Sequence, residues 1–299
     1  MAIGNSRIRA PVAMACAERL IPCTLELGGK DPAIVLEDAD IDRTANGLVW
    51  GAFFNAGQTC ISIERAYVVE DVYDELVDAV VRLTQSLRQG IDTGDYDIDV
   101  GSMIFPAQTD IVDRHVQDAI DKGATLRTGG RRNLDLPEGY FYEPTVLTDV
   151  NHDMLILTEE TFGPVLPIMK VRDAEEALRY ANDSDCGLSS SVWTRSQERG
   201  RAIARRLQSG SVCINETICN YLALEAPFGG VKHSGIGHRK TAEELRAYCH
   251  EKTVLEDIFR LKTEPWWYPY SPALGNGALK AIGLFYRSGL THKIRALLS

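Results

Sequence analysis

Between residues 30 and 215 the chain alternates short apolar runs of strand length with amphipathic stretches of helix length, and this alternation restricts the fold more than any other feature. Strand-like runs fall at 32–36, 65–70, 124–127, 165–171, 188–194 and 211–215, and helix-like stretches at 40–54, 72–88, 108–122, 174–181 and 198–207. Parallel neighbours cannot be joined by a hairpin, so each intervening helix serves as a crossover. The pattern predicts an α/β fold with a largely parallel sheet. Each helix should bury one stripe: Ile41, Ala45, Leu48, Val49 and Ala52 behind an Asp40 cap, and Leu76, Val80 and Leu83 in the next. Upstream, residues 11–20 suit a short helix and 21–27 a strand that ends at the Gly28-Gly29 turn; residues 129–139 read as a turn-rich insertion.

Composition narrows the function. Thirty-two basic against forty-two acidic residues give a net charge of −10, which opposes a phosphate backbone, so no nucleic-acid partner is expected. The seven cysteines are scattered without a CxxC pair, and the six histidines lack ligand spacing. The expectation is a reduced cytoplasmic protein without a structural metal. The apolar run after Arg9 is too short for a secretory signal and begins at Pro11, and no run reaches the length of a membrane span. Beyond Glu264 the composition shifts: residues 265–272 are rich in aromatics and proline, and 273–299 carry Lys280, Arg287, Lys293 and Arg295 with no acid. Leu279, Ile282, Tyr286 and Leu290 recur there at helical spacing. This tail is expected to pack on a neighbouring subunit of a homo-oligomer, with weak membrane-surface contact as the rival reading.

Two residues stand out chemically. Cys60 closes the run Phe53-Phe54-Asn55-Ala56-Gly57-Gln58-Thr59-Cys60, and Glu26 is the lone acid in an apolar run before Gly28-Gly29-Lys30. Taken singly, a free cysteine is most often an inert buried hydrophobe, and an acid beside a turn is most often solvated. The glycine-containing approach to Cys60 predicts a tight loop whose N–H dipoles favour the thiolate. Desolvation of Glu26 would raise its pKa toward neutrality and make it a usable base. A Glu at a strand end and a Cys after the next helix are expected to meet at one edge of the sheet.

With Glu159-Glu160-Thr161-Phe162-Gly163-Pro164-Val165 and Pro227-Phe228-Gly229-Gly230-Val231-Lys232-His233-Ser234-Gly235, these stretches make four motifs in order. The chain resembles the NAD(P)-dependent aldehyde dehydrogenases over nearly its whole length. That resemblance implies Cys60 as nucleophile and Glu26 as general base, and it places Glu160, Phe162 and Gly28 at an NAD or NADP site. It also implies an aldehyde channel near Tyr221, Leu222 and Phe228, with Leu224 beside them. The implied fold is the family's catalytic domain plus a remnant of the Rossmann-type cofactor domain. The implied divisions are a remnant at 1–28, the catalytic domain at 29–236, a returning helix and strand for oligomerisation at 237–262, and an appendage at 263–299.

In the family, most of the cofactor domain precedes the Glu26 motif, which here lies close to Met1. Of the family's Gly-Ser-Thr-x-x-Gly phosphate loop only Gly4 matches, and Arg9 replaces the last glycine. The expectation is an oxidoreductase converting an aldehyde to a carboxylic acid through a Cys60 thioester, impaired in this truncated form. A non-catalytic interaction protein and a cofactor-free thiol esterase are the alternatives.

Overall fold

The computed structural model describes residues 2–4, 9–136, 138–258, 262, 264 and 267–286. Two compact units divide the chain, Met1–Cys249 and His250–Ser299.

In the first unit, strand β1 (Ala2–Ile3), helix α1 (Arg9–Glu18) and β2 (Leu25–Glu26) lead into β3 (Asp31–Val35), α2 (Ile41–Phe53), β4 (Ile63–Val69) and α3 (Glu70–Gln85). There follow α4 (Pro106–Asp121), β5 (Thr125–Thr128), β6 (Thr145–Thr148), α5 (Leu155–Thr158), β7 (Val165–Val171) and α6 (Ala174–Asn182). The unit ends with β8 (Cys186–Gly187), β9 (Ser189–Trp193), α7 (Gln197–Ala204), β10 (Ser211–Ile214), β11 (Val231–Lys232), β12 (Gly235–Ile236) and α8 (Ala242–Ala247). Seven strands form the main sheet in the order β10-β9-β3-β4-β7-β6-β5. Every neighbouring pair is parallel except β5 against β6. All residues of β3 and β4 are buried, as central strands covered on both faces must be.

The helices follow their sequence patterns. Asp40 caps α2 by accepting the Arg43 N–H at 3.1 Å, and Ala45, Leu48, Val49 and Ala52 are buried behind it. Helix α3 turns Leu76 and Val80 into the core, with Leu83 partly covered. One strand is shorter than its pattern predicts, since only Leu25 and Glu26 of the run 21–27 pair. Pro22 has no N–H to give a ladder, and the turn that ends α1 consumes the Ile21 N–H on the Cys16 carbonyl at 3.0 Å. Strand β6 has no counterpart among the sequence-based expectations, although all four of its residues are buried.

A small second sheet places the candidate base. Strand β2 pairs in parallel with β1 and antiparallel with β12, where Glu26 lies opposite Gly235. Glu26 therefore stands on this separate sheet and not on the edge of the main one, which corrects the sequence-based expectation; residues 27–30, with Gly28 and Gly29, link the two without a regular turn.

In the second unit, α9 (Pro272–Tyr286) exposes Leu279, Ile282, Phe285 and Tyr286. Leu290, Arg287, Lys293 and Arg295 lie outside the described residues. No helix among the described residues is long and apolar enough to cross a membrane.

Candidate active site

The Cys60 loop is built from unusual backbone. After α2 the chain passes through Asn55, Ala56 and Gly57 with φ of 54°, 55° and 71°, three consecutive left-handed residues. Such strain persists only where surroundings enforce it. Gln58 does much of the enforcing: its Nε2 donates to the Asn55 carbonyl at 3.0 Å, and its Oε1 accepts the Ile104 N–H at 2.8 Å. Gly57 permits a close crossing, because a methyl group there would lie 2.2 Å from the Gly163 carbonyl oxygen. Ser62 donates from Oγ to the Gly51 and Ala52 carbonyls, which the end of α2 leaves free.

Cys60 itself is half-buried and packs against an apolar cluster of Ile61, Leu188, Ile218 and Phe228. Its thiol is pushed up to about 12, first by burial and then by the charges of Asp31, Glu160 and Glu26; only its own backbone N–H pulls the other way. The expectation of a dipole-stabilised thiolate is thereby corrected: three carboxyls and an apolar wall outweigh one N–H. Attack by this sulfur requires a base to take its proton.

Glu26 has the character of that base. It is buried, its Oε1 meets no hydrogen-bond partner among the described residues, and burial raises its pKa to about 7. Arg239 and Lys240 lower it and Glu244 raises it. These charges arrive with the chain that follows β12: Arg239 is held by a backbone bridge to Phe228. The buried Arg239 Nε makes no hydrogen bond among the described residues and lies 3.9 Å from Glu244 Oε1. The segment after the Pro-Phe-Gly-Gly motif thus sets the electrostatics of the base.

Glu160 comes to the same place from β7's side of the sheet. Its half-buried carboxylate accepts the Gly29 N–H at 3.2 Å, and burial and then the nearby Glu64 raise its pKa to about 7. A methyl group at Gly28 would lie 2.1 Å from both Glu160 oxygens, so a larger residue there would push that carboxylate aside. Phe162, left-handed at φ 50°, is held through its backbone N–H, which donates to Glu64 at 2.9 Å. Glu64, on β4, also accepts the Thr161 N–H at 2.9 Å and the Lys30 ammonium at 2.6 Å. Lys30 in turn reaches the Thr161 hydroxyl at 3.2 Å, which His115 meets from α4. Both charges of the Lys30–Glu64 pair are buried, so each depends on the other.

Glu26 and Glu160 therefore both lie within electrostatic reach of Cys60, with Gly28 against the Glu160 carboxylate. A carboxylate beside a glycine pair can accept the hydroxyls of a ribose diol, so these residues are chemically able to hold part of a dinucleotide. Residues 5–8, where the family's phosphate loop would fall, lie outside the described residues. Tyr221 stands edge-to-face with buried Phe228 at 5.3 Å, with the Lys240 ammonium over both rings. Leu222 and Leu224 are exposed and stand outside the buried apolar cluster at Cys60. Sequence reasoning missed Asp31, Glu64, Lys30 and Arg239. The signal available for the first three was charge at the very start of strand-like runs, where burial is costly unless the group is paired or neutral.

Asp31 extends the pattern. It is buried and held well above the ordinary carboxylate range by desolvation; Oδ2 accepts the Ser189 N–H at 3.0 Å and Oδ1 has no partner among the described residues.

Comparison with known proteins identifies the family and the fold. The sequence model of the aldehyde dehydrogenase family matches residues 1–254, and the chain belongs to that family. It is 40% identical over 268 residues to a 4,4'-diapolycopene aldehyde oxidase of Methylomonas sp, covering 90% of this chain and 49% of that protein. It is 41% identical over 251 residues to succinate-semialdehyde dehydrogenase (NADP+) 1 of Mycobacterium bovis BCG, covering 84% and 54%. Its fold superposes on a Mycobacterium tuberculosis aldehyde dehydrogenase complexed with NAD+ with a TM-score of 0.81 at 38% identity, covering 86% of this chain and 52% of that one. The chain spans about half the length of the curated relatives it matches.

Proposed function

We propose that the chain carries the catalytic half of an NAD- or NADP-dependent aldehyde dehydrogenase, with Cys60 as nucleophile and Glu26 as general base. The observation that carries this reading is Glu26: a buried carboxyl with an unpartnered oxygen and a pKa near 7, within electrostatic reach of a thiol held up to about 12. A base that titrates near working pH is suited both to accept the thiol proton and to deprotonate a water. Cys60 adds to the aldehyde carbon, and its own N–H would donate to the oxyanion that forms. A bound nicotinamide cofactor supplies the hydride acceptor. Water activated by Glu26 then releases the carboxylic acid from the Cys60 thioester. Glu160 would hold the nicotinamide ribose beside Phe162, and the wall of Tyr221, Leu222 and Phe228 would line the approach of an uncharged aldehyde.

The reading includes reduced activity for this chain alone, because hydride transfer needs a firmly held acceptor. The observation that favours a cofactor-free thiol esterase as the second reading is the Cys60–Glu26 interaction itself, which ester hydrolysis can use without a hydride acceptor. A homo-oligomer in the cytoplasm accords with seven free thiols and the exposed apolar side of α9. The test is aldehyde-dependent reduction of NAD and NADP by purified chain, run beside p-nitrophenyl acetate hydrolysis and against Cys60→Ala. Dehydrogenation lost with Cys60→Ala supports the first reading, and ester turnover indifferent to NAD supports the second. A wild type inert in both assays, with Cys60 unlabelled by a reactive aldehyde analogue, overturns both and leaves the non-catalytic interaction protein.

A further inference from the structure

Lys240 is held at both ends. Its backbone is left-handed at φ 77°, and its N–H donates to Glu244 Oε2 at 2.7 Å. At the other end, Nζ donates to the Tyr221 carbonyl and stands 4.0 Å from the centroid of the Tyr221 ring and 4.7 Å from that of Phe228. A lysine at a surface ordinarily carries its ammonium out into water. This one folds back over two rings set edge-to-face, with centroids 5.3 Å apart. Phe228 is buried in the cluster of Ile61, Leu188 and Ile218 against which Cys60 packs, whereas Tyr221 is exposed. The ammonium therefore covers an aromatic wall that runs from solvent to the nucleophile's own apolar cluster. Aromatic faces of this kind attract ammonium and quaternary ammonium groups. Here the chain's own cation already occupies them, and a second cation brought alongside would meet a like charge.

We propose that Lys240 is a specificity-determining residue: by covering Tyr221 and Phe228 with its own ammonium, it turns cationic substrates away from Cys60 and leaves the approach to aldehydes with uncharged or anionic tails. Discrimination here comes from repulsion of the wrong substrate as much as from attraction of the right one. That the discriminated molecules are aldehydes rests on the catalytic reading above. The electrostatics do not, since the charge acts on any reagent that travels to Cys60, with or without a cofactor. The carboxyls of Asp31, Glu160 and Glu26 near Cys60 favour cations, so the effect of Lys240 is read as a difference between variants.

The test measures how fast Cys60 of the full chain is modified by three methanethiosulfonates, one bearing a trimethylammonium group, one a sulfonate and one uncharged. Each transfers its thioalkyl group to the cysteine sulfur with loss of methanesulfinate. The tryptic peptide 44–65, in which Cys60 is the only cysteine, reports the yield. Dividing by the rate of the uncharged reagent removes any change in the thiol's own reactivity. Lys240→Met should raise the cationic ratio about fivefold to tenfold and lower the anionic one, as a unit charge within about 10 Å of the path requires. Lys240→Gln, which can still donate to the Tyr221 carbonyl, should do the same and serves where the Met variant is destabilised. Lys240→Arg should keep the wild-type ratios, and in urea the differences should vanish. Ratios within about twofold of wild type in both neutral variants, an Arg variant that behaves like them, or a folded wild type whose Cys60 takes up none of the three reagents would overturn the proposal. A chain that lacks dehydrogenase activity yet shows this charge dependence supports the inference while overturning the catalytic reading.

Discussion

Replacing Glu26 by glutamine keeps the shape of the side chain and removes its charge, so the variant isolates what ionising this carboxyl costs the fold. Burial moves its pKa from the ordinary 4.5 to about 7. The folded chain holds the proton more tightly than the unfolded one, so the contribution to stability is full below the unfolded pKa and is lost as pH rises through 7. At about 1.4 kcal/mol per pH unit, this rise is worth about 3.5 kcal/mol. Urea unfolding of both proteins at about pH 5 and about pH 8 reads this directly. From the lower to the higher pH, Glu26→Gln should gain about 2–3 kcal/mol relative to wild type, with unchanged dependence on urea. Glu160 titrates in the same range with the same sign, but it is present in both proteins and cancels. A stability difference that is the same at both pH values would refute the picture of Glu26 as a desolvated, unpartnered acid.

Gly28→Ala should drive the Glu160 carboxylate off the Gly29 N–H, because the added carbon would lie 2.1 Å from both oxygens. Cofactor-dependent turnover should fall while alkylation of Cys60 by iodoacetamide persists; undiminished turnover contradicts the role given to Gly28. Glu64→Ala leaves Lys30 buried and unpaired, and the expected loss is about 3–5 kcal/mol in chemical denaturation. A loss under about 1 kcal/mol would mean that the pair is solvated in solution. Arg239→Gln removes the largest charge that favours ionised Glu26, so the pH profile of Cys60-dependent ester hydrolysis should move to higher pH; a profile that stays in place would dissociate Arg239 from the base.

Much of this architecture is legible in residue order. The apolar runs at 32–36 and 165–171 become β3 and β7 almost residue for residue, because a strand buried on both faces needs little except continuous hydrophobicity and turn signals at its ends. Helix α2 begins where Asp40 can cap it. Charged residues at the start of such runs are a different matter. Nothing local distinguishes Glu64, which holds two other segments, from an acid at an exposed strand end, since its partners lie 34 and 97 residues away. The Cys60 thiol was misjudged for a related reason: loop glycines are visible in sequence, whereas the three carboxyls that oppose ionisation reach it through the fold.

The Glu64 carboxylate has a consequence for how the site comes into being. It grips Lys30 and the amides of Thr161 and Phe162, segments 131 residues apart in the chain, from the middle of the main sheet. Opening either segment alone would strand a buried ammonium or a buried carboxylate, so partial melting of this region is disfavoured. The nucleophile and cofactor loops should therefore gain hydrogen-exchange protection together and in step with the sheet, as one cooperative unit and not as two independently ordering loops.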